Sequence, residues 1–162
     1  METTVLVALG SNRRHGRHGR PEAVIAAAVS AMARDGLTIL AVSRTHATAP
    51  IGPGGRRFAN AAVAVSSTIP LPALLDVLKV IESNFGRRGG KRWGDRVLDL
   101  DIIGAGSVRI ASRRLKVPHP CFATRRFVLD PLVEIAPGWR PPGHSATVRQ
   151  LRFRAMRPKA PA

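Results

Sequence analysis

Two stretches of this chain are opened by proline and closed by glycine, with strand-forming runs before, between and after them, and that order leaves few folds open. Pro21-Glu22 places a proline at a first helical position and an acid in the first turn, and Gly36 supplies the stop. Val24, Ile25, Ala28, Val29 and Met32 give this helix one apolar stripe. Pro70 and Pro72 open the second, with Leu74, Leu75, Leu78 and Ile81 on one face and Gly86 at its end. Strands are read at Thr4 to Leu9, Leu37 to Ser43, Phe58 to Ser66 and Val97 to Ile103. Strand-helix-strand-strand-helix-strand predicts an α+β fold with a ferredoxin-like βαββαβ core, an antiparallel sheet carrying both helices on one face. A doubly wound sheet would need a helix between all its strands.

The third of the chain after Gly104 is rich in Pro and Arg. It is expected to close over the sheet edge, with a short helix near Thr124 to Leu132 and a flexible tail over 153–162. The 162 residues suffice for one core, so a single domain over 1–162 is expected. The lone Cys121 cannot pair within the chain, and no Cys and His cluster has zinc-site spacing. The start, Met1 to Gly10, has an early acid and only a short apolar run, unlike a signal peptide. The stretch Ala23 to Ala33 falls short of the roughly 20 residues of a membrane span. A cytoplasmic monomer acting on small molecules is the expectation.

The formal charge of +16 points to a partner that is at least partly anionic. With no Tyr and five Phe, stacking platforms for single-stranded nucleic acid are scarce, which favours phosphates on a small molecule. A basic, ferredoxin-like nucleic-acid-binding module without catalysis is the alternative. The basic loop 13–20 (Arg13, Arg14, His15, Gly16, Arg17, His18, Gly19, Arg20) has no apolar period. A mobile, solvated segment is the preferred reading, and a phosphate-attracting flap the other.

The chemistry concentrates in Arg92 to Ile103. Side chains alternate across a strand, so Asp99 and Asp101 share one face while Leu98, Leu100 and Ile102 pack on the other. Neighbouring carboxylates repel unless something positive lies between them, and Mg²⁺ is the common answer where phosphates are also present. The competing reading is a pair of solvent-facing acids bridged to nearby arginines. Arg87, Arg88, Lys91, Arg92 and Arg96 stand in a glycine-interrupted segment beside this strand. Guanidinium forks suit phosphate oxygens, although a solvated basic loop would look the same. The spacing of Gly86 to Lys91 excludes a P-loop, and no serine sits in a nucleophile elbow.

Several motifs, met in order over nearly the whole chain, resemble those of the 6-hydroxymethyl-7,8-dihydropterin pyrophosphokinase family. They are Ala8-Leu9-Gly10-Ser11-Asn12, Phe58-Ala59-Asn60-Ala61-Ala62-Val63, Arg92-Trp93 through Asp101, and Val117-Pro118-His119-Pro120, followed by Arg125, Phe127-Val128-Leu129 and Pro131-Leu132. The resemblance implies pyrophosphoryl transfer from ATP to the pterin hydroxymethyl group, releasing AMP, with two Mg²⁺ ions on Asp99 and Asp101. It implies catalytic roles for Arg87 and Arg96, further phosphate contacts from Arg88 and Arg92, and ATP contacts from Arg114, His119 and Arg125, with Glu82 near the nucleotide. For the pterin it implies an aromatic sandwich of Phe58 and Phe127, the Asn60 carboxamide, backbone groups at Thr48, Ala49, Pro50 and Ile51, and Trp93 closing over the substrate. The alternatives are core packing for Phe58 and Phe127 and a structural turn for His119. The basic loop 13–20, Asp95, Ala49 and a shorter segment from Arg87 to Arg92 depart from the family pattern.

Overall fold

The computed structural model describes residues 1–48, 57–86 and 97–158. Its core follows the expected order: β1 (Thr3–Ser11), α1 (Pro21–Arg34), β2 (Thr38–Val42), β3 (His46–Thr48), β4 (Phe58–Ser67), α2 (Leu71–Asn84) and β5 (Asp99–Gly104). The strands lie in the order β2-β4-β1-β5, every pair antiparallel, with β3 also on β4. This is the ferredoxin-like sheet, with β1 and β4 in the centre.

Both helices take the boundaries that proline and glycine set. Pro21 stands at the start of α1 with Glu22 in its first turn. Gly36 follows its end at φ 92° and Gly86 follows α2 at φ 90°, a conformation that a Cβ disfavours. Val24, Ile25, Ala28 and Met32 of α1 meet Leu74, Leu78 and Ile81 of α2 over Val5, Val7, Leu9, Val63, Val65, Leu100 and Ile102 of the sheet, all buried. Burying a side chain of this size contributes about 1.5–3 kcal/mol, so this layer carries much of the stability.

The last third departs from expectation. It covers the second face of the sheet instead of its edge, making a third layer. A hairpin of β6 (Ile110–Ala111) and β7 (Lys116–Val117) leads to a 3-10 turn at Phe122–Thr124, α3 (Arg126–Ile135) and α4 (Val148–Met156). Val128, Leu129 and Leu132 of α3 and Val148 and Leu151 of α4 pack with Phe122 on Leu6, Ala62, Ala64 and Ile103. A sheet sandwiched on both sides explains why β4 is buried from Ala59 to Ser67. Residues 153–156, expected in a flexible tail, form the last turn of α4. The basic loop also has definite structure. His15 and Gly19 exchange two backbone hydrogen bonds of 2.8 Å, and the His18 ring stacks on Phe85 at the end of α2, centroids 5.0 Å apart.

Candidate active site

Strand register brings the candidate residues into one row. Gly10 of β1 lies opposite Asn60 of β4 on one side and Asp99 of β5 on the other, while Asn60 lies opposite His46 of β3. One step along, Ala8 separates Ala62 from Asp101. Residues in register point to the same face, and Ile103, two places beyond Asp101, belongs to the α3 and α4 layer. Asp99, Asp101, Asn60 and Phe58 therefore all project on the side of α3.

The residues between the acids and Asn60 are small for a reason that geometry supplies. A Cβ at Gly10 would come within 3.3 Å of the Asn60 Oδ1, so the missing side chain gives the carboxamide its room. Asn60 itself is 8% exposed. Neither aromatic ring of the expected sandwich is core: Phe58 is 43% and Phe127 45% exposed. That speaks against ordinary core packing for either ring. Phe58 opens β4 and pairs with Thr48 of β3, whose hydroxyl lies 3.5 Å from the Phe58 carbonyl oxygen. Phe127 stands in the first turn of α3, with the Arg125 guanidinium 5.7 Å from its ring centre.

His119 joins this cluster from the segment before the 3-10 turn. Its backbone N–H donates to the Ile103 carbonyl at 2.9 Å, tying it to the end of β5, and its Nδ1 accepts the Cys121 N–H at 3.2 Å. Burial, then the positive charge of Arg125, hold the imidazole below its ordinary value of 6.5, with Asp99 pulling the other way. Burial and the Arg125 charge both favour the neutral imidazole. The same interactions place a guanidinium, an imidazole and an Asp carboxylate within electrostatic reach of one another.

Two residues expected at the nucleotide have protein partners. Glu82, expected near the nucleotide, is fully buried at the end of α2, where its Oε1 accepts the Leu100 N–H at 2.8 Å and its Oε2 lies 3.2 Å from the Lys79 ammonium. Arg114, on the β6–β7 turn, pairs with Asp76 of α2. Ala49, Pro50, Ile51, Arg87, Arg88, Arg92, Trp93 and Arg96 lie outside the described residues. Sequence reasoning missed His46 and Glu134, which meet beside the row. They stand 88 positions apart, and no local pattern links them.

Two carboxylates on one strand face are hard oxygen donors of the kind Mg²⁺ takes. Among the described residues no group of three or more His, Cys, Asp or Glu could hold a metal alone. That donor set fits an ion that keeps waters and completes its shell with substrate phosphates, as Mg²⁺ does.

Fold and site together define a ferredoxin-like α+β domain with a paired-carboxylate site at one end of its sheet, flanked by cationic and aromatic side chains. The chain belongs to the 7,8-dihydro-6-hydroxymethylpterin-pyrophosphokinase family, whose model matches residues 6–137. It is 41% identical over 140 residues to the 2-amino-4-hydroxy-6-hydroxymethyldihydropteridine pyrophosphokinase of Pseudomonas aeruginosa, covering 85% of this chain and 83% of that one. The Synechocystis enzyme of the same name is 38% identical over 72% of this chain, which spans 60% of it. A mitochondrial folate synthesis bifunctional protein of Arabidopsis thaliana is 40% identical over 83% of this chain, a span that is 24% of its length. In solved structures the fold recurs in Plasmodium falciparum HPPK-DHPS with pteroate, at TM-score 0.69 and 14% identity, over 95% of this chain and 42% of that one. The family's reaction is pyrophosphate transfer to a hydroxymethyl-dihydropterin in folate synthesis. A nucleic-acid module without catalysis gains no support from these matches.

Proposed function

We propose that this chain uses ATP as the pyrophosphoryl donor and the hydroxymethyl oxygen of 6-hydroxymethyl-7,8-dihydropterin as the acceptor. The pterin oxygen loses its proton and bonds to the β-phosphorus, while the bond from that phosphorus to the α-phosphate oxygen breaks and AMP leaves. The observation that carries this reading is the common face and register of Asp99 and Asp101 with Asn60, one strand from the acids across Gly10.

In this reading Asp99 and Asp101 would hold two Mg²⁺ ions, and the ions would supply positive charge to the phosphate oxygens. His119 and Arg125 donate to the ATP phosphates, and Arg114 could do so only after leaving Asp76. Arg87 and Arg96 act as catalytic cations, with Arg88 and Arg92 as further phosphate contacts. Phe58 and Phe127 stack on the two pterin faces, Asn60 reads its edge, backbone at Thr48, Ala49, Pro50 and Ile51 completes the hydrogen bonds, and Trp93 closes over it. A preorganised cationic site of this kind is where most of the rate enhancement of phosphoryl transfer comes from. The charge of +16 also favours capture of a polyanionic nucleotide.

The test is AMP formation by the purified chain from ATP, Mg²⁺ and the dihydropterin. AMP made only when all three are present is the expected result. No AMP under saturating conditions rejects the reading.

A further inference from the structure

Among the described residues Glu82 is the one charged side chain that is buried. It is fully buried, a setting where an apolar side chain would cost less, because a buried carboxylate gives up its hydration. Its Oε1 takes the backbone N–H of Leu100 at 2.8 Å, and Leu100 is the residue between Asp99 and Asp101. We infer that Glu82 is a positioning residue for the carboxylate pair: from α2 it fixes the twist and height of β5 through Leu100. The inference rests on Asp99 and Asp101 being the metal ligands.

Strand placement gives the reason such a device is needed. β5 ends the row β2-β4-β1-β5, so among the described strands only β1 pairs with it. An end strand presents backbone groups on its open side, where no second strand fixes its roll about the axis. Rotation would swing Asp99 and Asp101 together, away from the position set by Gly10 and Ala8 opposite them. A bond to the middle residue of Asp-Leu-Asp holds the strand against that rotation, and does so from α2. Lys79, 3.2 Å from Oε2 and 45% exposed, offsets part of the buried charge while reaching water.

Reach separates this role from charge. Glu82→Gln loses the charge and keeps a carbonyl oxygen at the same distance; Glu82→Asp keeps the charge and is one methylene short of Leu100. The full chain is loaded with α,β-methylene-ATP, and Mn²⁺ binding is read by electron paramagnetic resonance, alongside hydrogen exchange at the Leu100 amide. E82Q is expected to bind Mn²⁺ within about threefold of the wild type, and E82D about tenfold or more weakly, with faster Leu100 exchange in E82D alone. Should E82D not fold, Glu82→Met replaces it with the same expectation. Wild-type Mn²⁺ affinity in E82D, or an E82Q as weak as E82D, overturns the inference while the metal reading stands. A wild-type chain that binds no nucleotide-dependent Mn²⁺ removes the metal reading, and this inference with it.

Discussion

Glu134 of α3 accepts a hydrogen bond from the His46 ring of β3 at 2.5 Å and another from the Arg44 backbone N–H at 2.8 Å, clasping the C-terminal layer onto the sheet beside the row that holds Asn60. Burial pushes the Glu134 carboxyl up, but the bonds from Arg44 and His46 outweigh it and hold the group below its ordinary value of 4.5. A lowered carboxyl stabilises the fold in full above the unfolded value and loses that contribution as pH falls through the folded one. Glu134→Gln is therefore expected to lower stability at neutral pH by about 1–2 kcal/mol. In urea titrations its gap from the wild type should close as the medium is acidified below 4.5. A constant gap would show that the carboxylate is not the source.

His119 has the opposite kind of group and a related sign. Its folded value lies below 6.5, so between the two values the unfolded chain binds a proton that the folded chain refuses, and stability falls as pH drops below 6.5. Ring-proton NMR should report a value under 6.5 in the wild type, a higher one in Arg125→Gln and a still lower one in Asp99→Asn. A ring that titrates the same in all three would separate His119 from both charges.

Asp99→Asn and Asp101→Asn should leave the fold intact, since both side chains lie outside the apolar clusters. Each is expected to cut AMP formation at least about a hundredfold, the scale lost when charge stabilisation of a transition state is removed. Circular dichroism and steady-state rates on the same samples decide it. Full activity in both variants would sink the metal-bridged mechanism.

Gly104, the last residue of β5, lies beneath the Trp139 ring, inside whose van der Waals envelope an added Cβ would fall. Trp139 is further held by its indole N–H, which donates to the Gly106 carbonyl at 3.0 Å. Gly104→Ala is expected to destabilise the chain by about 1–3 kcal/mol through overpacking. Adding Trp139→Leu should then cost less in the Gly104→Ala background than in the wild type, as thermal melts of the double-mutant cycle will read.

The helices of the core were legible because Pro21, Gly36, Pro70 and Gly86 act locally, through φ and a missing N–H. The Asp-Leu-Asp face was legible because strand alternation needs only neighbours. α4 was missed since three arginines and a glutamine interrupt its apolar residues, with only Val148 and Leu151 buried. Its one local signal was the capping box, in which Thr147 and Gln150 exchange hydrogen bonds. β3, three residues long, carries no periodic pattern at all.

The sequence by itself determined the βαββαβ order, the shared face of Asp99 and Asp101, and the motifs that carry the family. Tertiary structure decided what a linear pattern cannot encode: that the last third lies over the second face of the sheet, that His46, Asn60, Gly10 and Asp99 stand in one row, and that Glu82 of α2 accepts the Leu100 amide. Each of these depends on strand pairing or on contacts between distant segments, and such partners are chosen by the packing of the whole chain.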